Sequence, residues 1–176
     1  MKQPILGIDY STHKIDIVGV MDGKPTFATE KLIRKTEKFE YKHLHNASSF
    51  IHGFVKKWVK FGSQPPYIYM EEPFIHSVHK SSVIPMAMMA GVIALGISNA
   101  FPKYDVDLLT MVPPPKWKKK VIGKGNVGKS EIKKWVVEEL KPSEYKRLVK
   151  ANVYGSDQDL IDAFCIAKYG EEIRYG

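Results

Sequence analysis

The sequence predicts an α/β fold: a mixed five-stranded sheet flanked by helices. Two observations carry this expectation. The chain opens with three consecutive strand patterns, which a short meander joins into antiparallel neighbours. Helical patterns then alternate with strand patterns, and strands separated by helices pair in parallel. The totals agree. The chain has 176 residues, 44% hydrophobic and 26% charged, ordinary for one domain with a real core. No repeat, low-complexity tract or boundary divides it, so residues 1–176 read as a single domain.

Taken in order, Ile5 to Asp9 is an apolar run and the first strand. His13 to Met21 is the second, with Ile15, Ile17 and Gly19 alternating with Asp16, Val18 and Val20. Asp22-Gly23 is a hairpin signal, and Pro25 to Leu32 follows as the third strand. Residues 34–43 have no clear period and read as a surface connection. Asn46 or Ser48 is expected to cap a helix running to about Phe61, with Ile51, Phe54, Val55 and Trp58 on one face. The segment Gly62 to Pro66 ends it. Tyr67 to Glu71 is the fourth strand. Ser82 to Asn99 is apolar all round, as a buried central helix is. Its Ala87/Gly91 and Ala90/Ala94 pairs would let another backbone approach closely. Tyr104 to Met111 reads as the fifth strand, with Val106 and Leu108 on one face, and Pro113-Pro114-Pro115 stops it. Helices are expected over Ser130 to Leu140, Pro142 to Val149, and from a cap at Ser156 or Asp157 to about Ile173.

Acids stand where these elements end. Asp9 closes the first strand, and Glu71-Glu72 closes the fourth. Asp159 and Asp162 are three apart in a helical pattern and share a face. Each has a plain reading: a turn residue, a solvated acid, a helix cap. Together they can converge on one point. Clustered carboxylates repel unless a cation lies between them, and hard divalent ions take oxygen ligands of this kind. Alternation sends Glu71 and Glu72 to opposite faces, so only one can face Asp9.

The stretch from Pro114 to Lys129 is strongly basic. Lys116, Lys118, Lys119, Lys120, Lys124 and Lys129 crowd around Trp117. A solvated loop tolerates these residues; a basic loop beside an acidic site also suits phosphate contacts. The net charge of +8 fits a polyanionic partner.

Gly7-Ile8-Asp9, the Met70 to Phe74 segment, Met89-Ala90-Gly91-Val92, the basic run with its Gly123-Lys124-Gly125 loop, and Asp159 to Ala163 occur in an order that resembles the RuvC family of Holliday-junction resolvases. That family lies within the ribonuclease-H-like nuclease superfamily. The resemblance spans nearly the whole chain and is nearest to divergent phage-encoded members. It implies a ribonuclease-H-like fold and a metal-dependent endonuclease that cuts branched DNA, four-way junctions above all, as a homodimer. It implies two Mg²⁺ ions per site, with Mn²⁺ as an alternative, held by Asp9, Glu71, Asp159 and Asp162, with Asp9 bridging. Two metal ions can serve the attacking water and the leaving oxygen of a phosphodiester. The family's aromatic three residues after its glutamate selects Glu71 over Glu72 and assigns Phe74 to stacking on an unpaired base; a core aromatic is the plain alternative. Lys129 matches a family lysine that serves DNA handling and catalysis. The apolar central helix matches the one that helps form the family's dimer interface. Departures at Tyr10-Ser11, Pro73 and Leu160-Ile161 bear on junction specificity and cut-sequence preference more than on the metal set.

Competing signals are weaker. Gly123 to Ser130 fits the phosphate-binding G-x-x-x-x-G-K-[ST] pattern in full, the basis of an alternative reading as a P-loop nucleotide-binding protein. That loop ought to follow a buried parallel strand, and a lysine run precedes it instead. A non-catalytic branched-DNA-binding module on the same fold is a further alternative. Gly7 to Thr12 also resembles the phosphate loop of actin-like sugar kinases, which need two such domains. His76 and His79 lack the partners of a zinc site. Cys165, the single cysteine, reads as a small buried hydrophobe. Residues 81–102 carry no Asp, Glu, Lys or Arg, but Pro85, Gly91 and Gly96 interrupt them, and a buried helix is expected instead of a membrane span. Met1 to Ile5 runs straight into a strand pattern and reads as no signal peptide. A cytoplasmic location is expected, in the bacterial host if the chain is phage-encoded.

Overall fold

The computed structural model describes residues 2–32, 38–59, 64–73, 80–102, 108–152 and 157–176. Three strands open the fold, β1 (Ile5–Tyr10), β2 (Lys14–Met21) and β3 (Lys24–Lys31). Helix α1 (Tyr41–Val59), strand β4 (Tyr67–Glu71), helix α2 (Lys80–Ala100) and strand β5 (Leu109–Val112) follow. Four helices complete the chain: α3 (Pro114–Ile122), α4 (Lys129–Glu139), α5 (Pro142–Ala151) and α6 (Gln158–Tyr175). The five strands make one sheet in the order β3-β2-β1-β4-β5. The first three pair antiparallel, and β4 and β5 join them in parallel. This is the mixed sheet expected from the order of patterns.

Strand alternation divides the core in two. Leu6, Ile8, Ile15, Ile17, Ile68 and Met70 face α1 and α2. Ile5, Val18, Val20 and Tyr69 face α6, with α3, α4 and α5 around it. Helix α6 lies directly on β1 because Gly7 has no side chain. A β-carbon there would overlap the backbone of Ala163 and Ala167. This close approach sets the height of α6 above the end of β1.

Several boundaries differ from expectation. Helix α1 begins at Tyr41, so Asn46 and Ser48 lie inside it and neither caps it. The segment after Pro113 is not a loop. Two prolines open α3, where their missing N–H groups cost nothing, and Gly123 ends it in the left-handed conformation at φ 91°. Asp157 stands at the N-cap position of α6 but makes no side-chain cap. Its carboxylate accepts instead from Lys133 Nζ at 2.9 Å and from the Tyr145 hydroxyl at 3.3 Å. Residues 34–37, 60–63, Tyr104, Val106 and Ser156 lie outside the described residues.

Helix α2 is one continuous helix through Pro85. It is buried on one face only, not all round. Met89, Ala90, Ile93 and Ile97 enter the core, and Gly96 admits the backbone of Ser48 on α1. On the other face Ile84 is 67% exposed, Met88 46% and Leu95 55%, with Gly91 open to solvent between them. The sequence pattern could not separate these faces, because both are apolar. The window Val83–Ala100 is long and apolar enough to cross a membrane by composition. A core helix with one uncovered face passes the same test.

Candidate active site

The register of the sheet brings the acids together. Asp9 on β1 lies directly across from Asp16 on β2. On its other side β1 pairs with β4 through Ile8 and Met70, so Asp9 and Glu71 are the next residues along each strand. Alternation gives them one face. Gly7 meets α6, so Asp9, two residues on, emerges on the α6 side. Lys14 and Asp16 share that side with Val18 and Val20, and Glu71 shares it with Tyr69. The first turns of α6 supply Asp159 and Asp162 from above.

The electrostatics show how closely these groups meet. Burial raises the Asp9 carboxyl well above the usual range, and the charges of Glu71, Asp162, Asp159 and Asp16 raise it further. Burial likewise lifts Asp162 to about 7, with Glu71 and Asp159 adding and Gln158 and Lys118 opposing. Glu71 is raised by burial, against a hydrogen bond from Trp117 and the charge of Lys118. Crowded carboxylates in a poorly solvated corner cannot all ionise without a compensating cation.

Each acid is held. The Tyr10 N–H donates to Asp9 Oδ1 at 2.9 Å. Trp117, fully buried, donates its indole N–H to Glu71 Oε2 at 3.0 Å. Gln158 donates to Asp162 Oδ1 at 2.8 Å. Lys14 Nζ meets Asp159 Oδ2 at 2.8 Å and Asp16 Oδ2 at 3.1 Å. Glu72 is exposed, and its backbone N–H continues the pairing of β4 with β5.

The donor set is chemically suited to a hard divalent cation, since all four expected ligands are carboxylates. The raised proton affinity of Asp9, Glu71 and Asp162 is the mark of a site short of positive charge. The four side chains do not close around one point, however. Among the described residues no three His, Cys, Asp or Glu side chains form a group that could hold a metal ion.

The lysine whose charge acts on Glu71 and Asp162 is Lys118, which lies over the Trp117 ring at 5.3 Å. Lys129 is exposed at the start of α4, and among the described residues no hydrogen bond or ion pair joins it to the four acids. Lys116, Lys119, Lys120 and Lys124 are exposed on α3 and the turn after it. That turn joins helix to helix, so Gly123 to Ser130 lacks the preceding strand of a P-loop. Cys165 is buried as expected. Phe74, His76 and His79 lie outside the described residues.

Four contributors escape a reading by motif: Lys14, Asp16, Trp117 and Gln158. Asp16 had a signal, a charge on the strand face that also carries Val18 and Val20. Gln158 had another, since it stands four residues before Asp162 on a helix.

No family model and no curated protein matches the chain. Solved structures do match. A Thermus thermophilus RuvC in complex with a Holliday junction substrate superposes with TM-score 0.68 at 16% identity, over 96% of this chain and 92% of that one. A second T. thermophilus RuvC structure gives 0.64 at 15% identity, over 97% and 96%. The fold is RuvC-like. The ribonuclease-H-like architecture expected from the resemblance is therefore the architecture found. At this identity the likeness shows the fold alone, and the chemistry must be argued from the corner where β1, β4 and α6 meet.

Proposed function

We propose that this protein is a metal-dependent endonuclease acting on branched DNA, four-way junctions in particular, as a homodimer. The observation that carries the reading is the convergence of Asp9, Glu71, Asp159 and Asp162 on one face of a RuvC-like sheet. The RuvC that superposes on this chain holds a Holliday junction substrate.

In this reading the four carboxylates hold Mg²⁺ or Mn²⁺. Ions held there would activate water and neutralise the leaving oxygen of a phosphodiester. The chain's own residues prepare the site. Trp117 and Gln158 fix the orientation of Glu71 and Asp162. Lys118 supplies a positive charge beside them. The exposed lysines of α3 and Lys129 hold the DNA backbone and leave sequence unread. Phe74, three residues beyond Glu71, is proposed to stack on an unpaired base at the branch. Two strands must be cut to resolve a four-way junction, and a two-fold pair of sites suits that task.

Asp9→Asn is the test. Cleavage of a labelled junction in Mg²⁺ should be lost while junction binding survives. Full cleavage by that variant would sink the metal assignment. A second reading, a non-catalytic branched-DNA-binding module, is favoured by the open spacing of the acids. Junction binding by the unaltered protein, without cleavage in either Mg²⁺ or Mn²⁺, would select it.

A further inference from the structure

The acidic corner already contains a cation of its own. Lys14 Nζ stands 3.1 Å from Asp16 Oδ2 and 2.8 Å from Asp159 Oδ2. The Lys14 side chain is 10% exposed and that of Asp16 1%, whereas that of Asp159 is 42% exposed. A buried carboxylate directly across the strand from Asp9 is costly unless it is neutralised. One oxygen of Asp16 is hydrogen-bonded and the other is ion-paired. The Thr29 hydroxyl donates to Oδ1, and Lys14 meets Oδ2. Asp16 thus serves as a seat for the ammonium, anchored from β3 through Thr29. The ammonium in turn spans from β2 to the first turn of α6.

We propose that Lys14, seated on Asp16, is a resident counter-cation that holds Asp159 in the carboxylate cluster while no metal ion is bound, and yields that carboxylate when a divalent ion binds. The inference rests on the metal-ion reading above. It makes Lys14 and Asp16 positioning residues. Lys14 keeps the start of α6 in register with β2, and it lowers metal affinity, because binding must break its contact with Asp159 and bring two like charges together. It also accounts for the open spacing of the acids: Asp159 is turned to the lysine.

The test is Mn²⁺ binding to the whole protein without DNA, read from the electron paramagnetic resonance signal of free Mn²⁺. Three proteins are compared: the unaltered chain, Asp9→Asn, and the double variant Lys14→Met with Asp16→Asn. The double variant removes one cation and one anion together, so the net charge of the corner is unchanged, and an amide at position 16 can still accept from Thr29. It should bind Mn²⁺ about tenfold more tightly, a change of about 1.4 kcal/mol, and melt at a lower temperature without metal. Damage to the fold weakens binding and cannot imitate this tightening. Lys14→Arg, which keeps the charge, should bind as the unaltered protein does. If the double variant fails to fold, Lys14→Gln with Asp16→Asn, which also leaves the net charge of the corner unchanged, is read in the same way. Unchanged or weaker binding in the lysine-free variant, with Asp9→Asn weakened, overturns the counter-cation role; complete loss would make Asp16 a ligand itself. Asp9→Asn binding Mn²⁺ as the unaltered protein does would overturn the metal-ion reading, and this inference with it.

Discussion

The buried indole of Trp117 on α3 donates its N–H to Oε2 of Glu71, the last residue of β4, across 3.0 Å. The bond fixes one oxygen of the only acid that β4 turns toward Asp9. Partners of this kind around metal ligands commonly matter about 10–100-fold when removed.

Trp117→Phe keeps an aromatic ring in the core and deletes the donor, leaving a small cavity where the rest of the indole stood. Cleavage should fall about 10–100-fold, chiefly in kcat, with junction affinity unchanged and little loss of melting temperature. Trp117→Ala differs, because removing a buried tryptophan costs about 3–5 kcal/mol of stability. Adding Mg²⁺ should also shift the emission of the unaltered protein, and that shift should be missing from the phenylalanine variant. Equal cleavage by Trp117→Phe and the unaltered protein would reduce the bond to a packing detail.

Asp162 gives a dependence on pH. Its carboxyl is lifted to about 7, first by burial. Between about pH 4 and pH 7 the folded chain therefore keeps a proton that the unfolded chain has released. Stability from this group is full below that window and is lost as pH rises through it. Asp162→Asn should remove this slope. Without metal, the variant should melt above the unaltered protein at pH 8 and with it near pH 4, where about 1 kcal/mol corresponds to roughly 2–4 °C in a chain this size. Stabilisation by added Mg²⁺ should grow as pH rises past 7 in the unaltered protein. Calorimetric scans across pH, with and without Mg²⁺, measure both effects.

The exposed face of α2 tests the proposed homodimer. Ile84, Met88, Gly91 and Leu95 recur at intervals of four, three and four, a seam that one helix can offer to its two-fold mate. Lysine at Met88 and Leu95 should abolish association in sedimentation equilibrium. Both sites are exposed, so the isolated chain should lose no more than about 0.5 kcal/mol per change. A protein that is monomeric before any substitution, free and on junction DNA, would remove the dimer.

How far the sequence reveals this site depends on the kind of signal each residue carries. Asp9 and Glu71 were visible because strand ends expose acids where apolar runs stop. Asp159 and Asp162 were visible through their helical spacing. The face shared by Asp9 and Glu71 follows from alternation alone. Helix α3 was hidden, because three prolines followed by lysines resemble a loop, and only its buried Trp117 and Val121 reveal the amphipathic turn. Trp117 and Lys14 were hidden for another reason. Glu71 lies 46 residues from Trp117, and Asp159 lies on α6, far along the chain from Lys14 on β2, and no local pattern encodes such pairings. The buried and open faces of α2 are both apolar, so periodicity could not tell them apart.

The lysines of α3 and of the turn after it stand in two environments, and a salt series tests whether they serve two roles. Lys116, Lys119 and Lys124 are exposed, whereas Lys118 is half-buried above Trp117, where its charge lowers the proton affinity of Glu71 and Asp162. Each phosphate contact releases counterions, so log K falls with log salt by about 0.9 per contact on duplex DNA. Removing Lys116, Lys119 and Lys124 together should flatten that slope by up to about 2.7. Junction and linear duplex should weaken alike, since backbone contacts carry no branch information. Lys118→Gln should leave the slope nearly intact. Without its charge, Glu71 and Asp162 should hold their protons to higher pH, so the acid limb of the cleavage profile should move upward. Binding measured across a salt series, together with cleavage across pH, distinguishes the groups. If Lys118→Gln flattens the salt slope as much as one surface lysine does and leaves the pH profile in place, Lys118 is another backbone contact and has no part in setting the charge of the acids.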